Sequence, residues 1–178
     1  MALKATIFKA ELQLSDMDRH HYQTYSLTLA RHPSETDERM MIRLVAFALN
    51  AHEQLSFTKG ISSDDEPDLW LKSLSGEIEL WIELGQPDEK RLRKACGRSK
   101  RVIVYAYAER SATLWWQQNQ QSFKRFENLS VALLSVGNEE ILRDLVQRNM
   151  SLACTIQEGQ IWLGDGRLDV TLELTQWQ

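Results

Sequence analysis

Asp68 and Glu83 are the two residues whose type and spacing point most directly to chemistry. Each lies in a run that alternates polar and apolar side chains, Asp68–Ser73 (DLWLKS) and Glu77–Leu84 (EIELWIEL). That alternation is the period of a half-buried strand. Leu74-Ser75-Gly76 lies between them and reads as a hairpin turn. A two-residue turn at Leu74-Ser75 sets Lys72 opposite Glu77, Trp70 opposite Glu79 and Asp68 opposite Trp81. Glu83 is then the diagonal neighbour of Asp68, about 7–8 Å away between backbones. Two carboxylates converging at a strand end suit Mg²⁺ or Mn²⁺, because hard cations take oxygen ligands.

The elements that must position this pair follow from local patterns. Pro87 suits the first position of a helix, with Asp88 and Glu89 in its first turn, where the helix dipole favours acids. Gly97 ends that helix. Val102–Ala108 (VIVYAYA) is β-branched and aromatic and reads as a buried strand. Upstream, Ala5–Leu14 and His21–Ala30 alternate and form an antiparallel hairpin across Ser15–Asp18. His20 and His21 are adjacent, so on a strand they point to opposite faces and make no metal pair by themselves. Ser34 is a good N-cap for a helix running to about His52, with Met41, Ile42, Val45, Ala48 and Leu49 as its apolar stripe. Leu55–Thr58 is a short strand, and Gly60–Glu66 (GISSDDE) is a polar loop carrying acids toward the pair.

Downstream, Glu109-Arg110-Ser111 reads as a break and Thr113–Phe126 as a helical or irregular segment. Its Trp115 and Trp116 cannot both face one core, so a stacking platform for bases stands beside simple packing. Leu129–Val136 is a strand, and Asn138 caps an amphipathic helix over Glu139–Asn149. Met150–Gln157, Gly159–Leu163 and Arg167–Leu174 are short strands joined by Gly-containing turns.

The stretch from Pro67-Asp68 to Glu83 resembles the core of the PD-(D/E)XK nuclease superfamily, with a helix, three strands, a helix and a strand in that order. The run IELWIELGQPDEKRLRKA, the opening ATIFKAELQLSDMDRHHY and the Trp115-Trp116 pair resemble the YaeQ family of bacterial proteins over essentially the whole chain. That family is regarded as a divergent branch of the superfamily. The resemblance implies a single domain over residues 1–178. Its fold is α/β: a restriction-endonuclease-like mixed β-sheet flanked by helices, with extra antiparallel strands at both termini. It also implies a site in which Asp68 and Glu83 hold Mg²⁺ or Mn²⁺. The helix before the three strands often adds an acid in such nucleases; by position Glu38 is the candidate, with Glu35 next. The superfamily motif places a lysine two residues after the second acid, where this chain has Gly85. Gln86 and Lys90 are the residues left to orient water and to supply charge.

The chain has 178 residues, 43% hydrophobic and 26% charged, with a formal net charge of −4, the profile of an ordinary globular protein. Against that balance, Lys90, Arg91, Arg93, Lys94, Arg98, Lys100 and Arg101 crowd one helix. They form either a phosphate-binding patch or a solvated face. Cys96 and Cys154 lack CxxC spacing, so neither zinc nor a disulfide framework is expected. The opening residues lack a signal-peptide pattern, and no run approaches the ~20 apolar residues that cross a membrane, so a cytoplasmic protein is expected. There is no phosphate-binding glycine loop, no GxSxG and no HExxH, which removes support for nucleophilic and redox catalysis. Two functions remain: a Mg/Mn-dependent nuclease or nucleic-acid-processing protein, and a non-catalytic binding or regulatory protein that retains the fold. A monomer or weak dimer is compatible with either.

Overall fold

The structure is a computed structural model that describes residues 4–59 and 63–178. Residues 60–62 of the expected Gly60–Glu66 loop lie outside the described residues. In chain order the elements are β1 (Thr6–Asp16), β2 (His21–Arg31), α1 (Asp37–Leu49), β3 (Leu55–Phe57), β4 (Leu69–Lys72), β5 (Ile78–Leu84) and α2 (Glu89–Arg98). They continue with β6 (Ser99–Ala106), α3 (Glu109–Phe123), β7 (Leu129–Val136), α4 (Glu139–Asp144), β8 (Asn149–Gln157), β9 (Gln160–Gly164) and β10 (Asp169–Gln176). The fold is mixed α/β, and its antiparallel strand pairings outnumber its parallel ones. The chain packs as two compact units, Met1–Asn50 with Val136–Glu173, and Ala51–Ser135 with Leu174–Gln178.

The first unit is built on the alternation seen in the sequence. Phe8, Ala10, Leu12 and Leu14 of β1 point inward while Lys9, Glu11 and Gln13 face out. β2 pairs with β1 antiparallel from Thr6↔Arg31 to Asp16↔His21, and β8 lies on the other side of β1 in parallel. β9 and β10 extend this sheet by two antiparallel hairpins. Thr36, rather than Ser34, caps α1, its side chain accepting from the Arg39 amide. Every residue from Met40 to Ala48 is buried, so α1 is enclosed on all sides rather than striped. Asn138 caps α4 as expected, but the helix stops at Asp144. The parallel ladder takes the chain over just beyond it: the Lys9 amide donates to Arg148 O, and Asn149 pairs with Lys9.

In the second unit β3, β4 and β5 run antiparallel, and β5, β6 and β7 run parallel with α2 and α3 as the crossovers. Parallel neighbours need such crossovers, and burial on both faces explains the apolar run of β6. Trp81, Val102, Val104, Trp115, Phe123 and Val131 lie in its core. The expected break at Glu109-Arg110-Ser111 is the first turn of α3, and Gly97 does not end α2, which continues to Arg98 and passes directly into β6. Trp115 is buried; Trp116 stacks on Trp177, with ring centroids 5.5 Å apart. That contact uses the tilt between the two tryptophans for packing. Among the described residues no helix is long and apolar enough to cross a membrane.

Candidate functional site

The β4–β5 hairpin closes two residues away from the expected register. Trp70 lies opposite Trp81, Leu71 opposite Leu80 and Lys72 opposite Ile78, with an irregularity between Leu71 and Lys72. The turn is longer than two residues: the Ser73 amide donates to Glu77 O at 2.8 Å and the Gly76 amide to Ser73 O at 3.0 Å. Gly76 has φ +88°, a left-handed position that glycine takes at no steric cost. A slip of two residues leaves every side chain on its expected face. Its effect is to draw Asp68 toward Glu83.

Both acids are buried, Asp68 at 3% and Glu83 at 4% exposure. Asp68 Oδ2 accepts from the Leu84 amide at 2.9 Å, which fixes its carboxylate beside the residue that follows Glu83. Glu83 Oε1 accepts from Trp81 Nε1 at 2.8 Å and from Arg91 Nε at 2.7 Å. Burial pushes the Glu83 carboxyl up to about 7; the Arg91 charge opposes the rise and the nearby Asp68 charge adds to it.

Arg91, one of the basic cluster read from the sequence, is the residue that meets Glu83. Asp88, the N-cap of α2, accepts from the Arg91 amide at 2.8 Å and fixes the first turn. The guanidinium then reaches Glu83, donates to Glu66 O at 2.8 Å, and approaches Asp64 O at 3.3 Å. It lines a cleft of about 400 Å³ with Asp64, Asp88, Lys90 and Lys94. The signal was present in the sequence: Asp88, Arg91, Leu92 and Ala95 fall on one helical face, and Leu92 and Ala95 are buried.

Other candidates go elsewhere. Gln86 is exposed and donates to Ser111 Oγ at 2.8 Å, and Lys90 is exposed on α2. Neither has a contact with Glu83; Arg91 has it. The basic helix is largely paired with acids rather than free. Arg93 meets Glu89 at 2.9 Å, Lys94 meets Asp65 at 2.5 Å, and Lys100 meets Glu79 at 2.7 Å and Glu77 at 3.3 Å. Arg98 donates to Asp65 O at 3.0 Å and lies over the Trp81 ring, while Arg101 is an exposed residue of β6. Glu38 belongs to the first unit, 4.0 Å from Arg143; burial, and then the Glu139 charge, raise its carboxyl against the pull of Arg143. Glu35, which precedes α1, is taken by Arg39 and Arg43 of that helix. Among the described residues no three His, Cys, Asp or Glu side chains gather as a metal set. Among the described residues of the second unit, Asp68 and Glu83 are the buried acids.

Comparison with known proteins places the whole chain. The family model described as YaeQ protein matches residues 1–174. The YaeQ proteins of Salmonella typhi and Escherichia coli K12 are 50% and 49% identical to it over 178 residues, all of this chain and 98% of each relative. The crystal structure of YaeQ from Xanthomonas axonopodis pv. citri superposes with a TM-score of 0.94 at 48% identity, covering 98% of both chains. That of YaeQ from Pseudomonas syringae gives 0.89 at 37% identity, covering 98% of this chain and 96% of the other. With a matching family model and whole-length relatives at half identity, the chain belongs to the YaeQ family.

Proposed function

We propose that the protein is a Mg²⁺- or Mn²⁺-dependent phosphodiesterase that processes nucleic acid in the cytoplasm, on a restriction-endonuclease-like core of the PD-(D/E)XK type. The observation that carries this reading is the 2.7 Å contact of Arg91 with Glu83, beside a second buried acid. The nuclease motif puts a lysine on the strand two residues after the second acid. Here that position is Gly85 with φ +94°, where a lysine would be strained by about 1–2 kcal/mol. Arg91 brings a permanent positive charge to the same carboxylate from α2.

The donor set suits a hard cation. Mg²⁺ commonly takes one or two carboxylates and keeps several waters, so Asp68 and Glu83 would be sufficient to hold it. When bound, the ion would polarise a phosphate oxygen and acidify a coordinated water. The chain's own residues do the rest. Trp81 and the Leu84 amide orient one oxygen of each carboxylate. Burial lets Glu83 exchange a proton near neutral pH. Arg91 offsets the Glu83 charge and is placed to meet negative charge developing on a phosphate at the cleft.

The test is cleavage of single- and double-stranded DNA and of RNA with Mn²⁺, together with Mn²⁺ titration read by tryptophan fluorescence, since Trp81 touches Glu83. Metal-dependent cleavage that Asp68→Asn and Glu83→Gln both abolish is the expected result. A folded protein that neither cleaves nor quenches with Mn²⁺ overturns it. The second reading, a non-catalytic binding protein that keeps the fold, is favoured by the internal pairing of Lys94 and Lys100 with acids and of Arg98 with the Asp65 carbonyl. In that case Asp68, Glu83 and Arg91 pin the hairpin to α2, and no metal response is seen.

A further inference from the structure

We propose that β2 is a pairing edge for a second copy of this chain, with two β2 strands joined antiparallel about a two-fold axis at Tyr25. β2 ends the strand order of the first unit and is 11 residues long. Its register with β1 is unbroken along its whole length. The direction of its outer backbone groups follows from one bond. The Lys9 amide donates toward β8, to Arg148 O, so odd-numbered residues of β1 face β8 and even-numbered ones face β2. The even residues pair as Phe8↔Leu29, Ala10↔Leu27, Leu12↔Tyr25 and Leu14↔Gln23. In an antiparallel ladder the backbone groups of successive residues point alternately to the two sides. The odd-numbered groups of β2 therefore bond β1, and the even-numbered ones point away from the sheet. Ala30 agrees: its carbonyl, on the outward side, accepts from Arg43 Nη2 at 3.0 Å.

Tyr22, Thr24, Ser26 and Thr28 are left with outward N–H and C=O groups. Among the described residues none of these groups has a backbone partner beyond the sheet. Natural sheets guard such edges with charge, proline, bulges or shortness. The run from Tyr22 to Ala30 (YQTYSLTLA) has no charge and no proline, and β2 has no bulge. The edge is also self-complementary. A two-fold at Tyr25 sets Tyr22 opposite Thr28 and Thr24 opposite Ser26, and hydroxyl pairs across strands are favourable. His21 falls opposite Leu29, and the ladder stops before Arg31, so no like charges face each other. That match to its own sequence singles out a second copy over an unrelated strand. A single short ladder buries less than a typical specific interface of about 1,600 Å², so the dimer is weak.

Sedimentation across a concentration series tests this on the full chain. The wild type is expected to pass reversibly from monomer to dimer. Ser26→Pro removes one outward N–H, leaves the ladder to β1 intact, and is expected to stay monomeric with an unchanged melting temperature. Amide exchange on the wild type covers the case in which that variant fails to fold. The Thr24, Ser26 and Thr28 amides should become protected as concentration rises, while those of Tyr25 and Leu27 are protected throughout. A wild type that is monomeric at every concentration overturns the proposal. So does a dimer that leaves those three amides exchanging freely.

Discussion

Glu35 and Glu83 are both buried glutamates that meet arginine, and the surroundings of each lead to different roles. Glu35 gives one oxygen to Arg43, at 2.7 and 3.2 Å, and the other to Arg39 at 3.1 Å, both on α1. Arg43 is itself 1% exposed and also binds Ala30 O. Two cations enclose one anion, and both carboxylate oxygens are used. Glu83 has one arginine, which is 26% exposed on the side chain, and a second buried acid beside it. That places two acids side by side in a buried setting. The first arrangement is a clasp closing β2 onto α1. The second is a pair of neighbouring buried acids, one of them raised by its burial, and such perturbed acids are where functional sites concentrate.

The comparison can be broken by removing each arginine in turn. Arg43→Met should cost about 3–5 kcal/mol, because it removes the buried guanidinium that bonds both Glu35 and Ala30 O. Guanidinium unfolding would read this, and a loss below about 1 kcal/mol would refute the clasp. Arg91→Met should cost less, about 1–3 kcal/mol above pH 8, because its partner is buried but the arginine is half in water. Near pH 5 the cost of Arg91→Met should fall to that of its bonds to Glu66 O and Asp64 O. Glu83 titrates near 7 when folded and at its ordinary value near 4.5 when unfolded. Between these values the folded state holds a proton that the unfolded state has released. The wild type therefore has this contribution in full below about pH 4.5 and loses it as pH rises through about 7. A cost of Arg91→Met that is equal at pH 5 and pH 8 would mean that Glu83 is ionised throughout.

Part of this contrast was legible in the sequence. The order strand, turn, strand, helix, strand around Asp68 and Glu83 follows from alternation, Pro87 and the VIVYAYA run, and it is what the chain forms. The hairpin register was not legible, because it depends on the positive φ of Gly76 and on an irregularity at Leu71/Lys72. Neither leaves a pattern in the alternation. Arg91 was read as one charge among seven; its role depends on a helical face shared with Leu92, which the charge count obscures. Arg43 was hidden differently. An arginine inside a fully buried helix is tolerated here through Glu35, which precedes the helix, and the Ala30 carbonyl of β2, and helical periodicity links it to neither. Glu38 lies in the first turn of α1, but its neighbours Glu139 and Arg143 come from a segment about 100 residues away, a distance that no local pattern spans.

A smaller effect sharpens the comparison from the Glu83 side. Glu83→Gln keeps an acceptor for Trp81 and removes the charge. The fluorescence of the wild type should show a transition near pH 7 that the variant lacks, and the pH slope of stability between 5 and 8 should flatten. The smallest effect belongs to the exposed pairs. Lys94→Ala breaks the contact with Asp65, and the melting temperature should not move measurably, because solvated ion pairs contribute little.

The direct passage of α2 into β6 has an evolutionary consequence. α2 ends at Arg98 and β6 begins at Ser99, with no connecting residue. One residue inserted there leaves two choices. Either every side chain of β6 changes face, because a strand repeats every two residues, or the helix rotates by about 100° to absorb the extra residue. The first choice takes Val102, Val104 and Ala106 out of the core they share with Trp81, Trp115 and Val131; the second swings Arg91 away from Glu83. Length variation should therefore be purged at this junction and accumulate instead in the turn at Ser73–Glu77. Scanning single-residue insertions across 73–77 and 96–100, with soluble yield as the readout, would display that asymmetry.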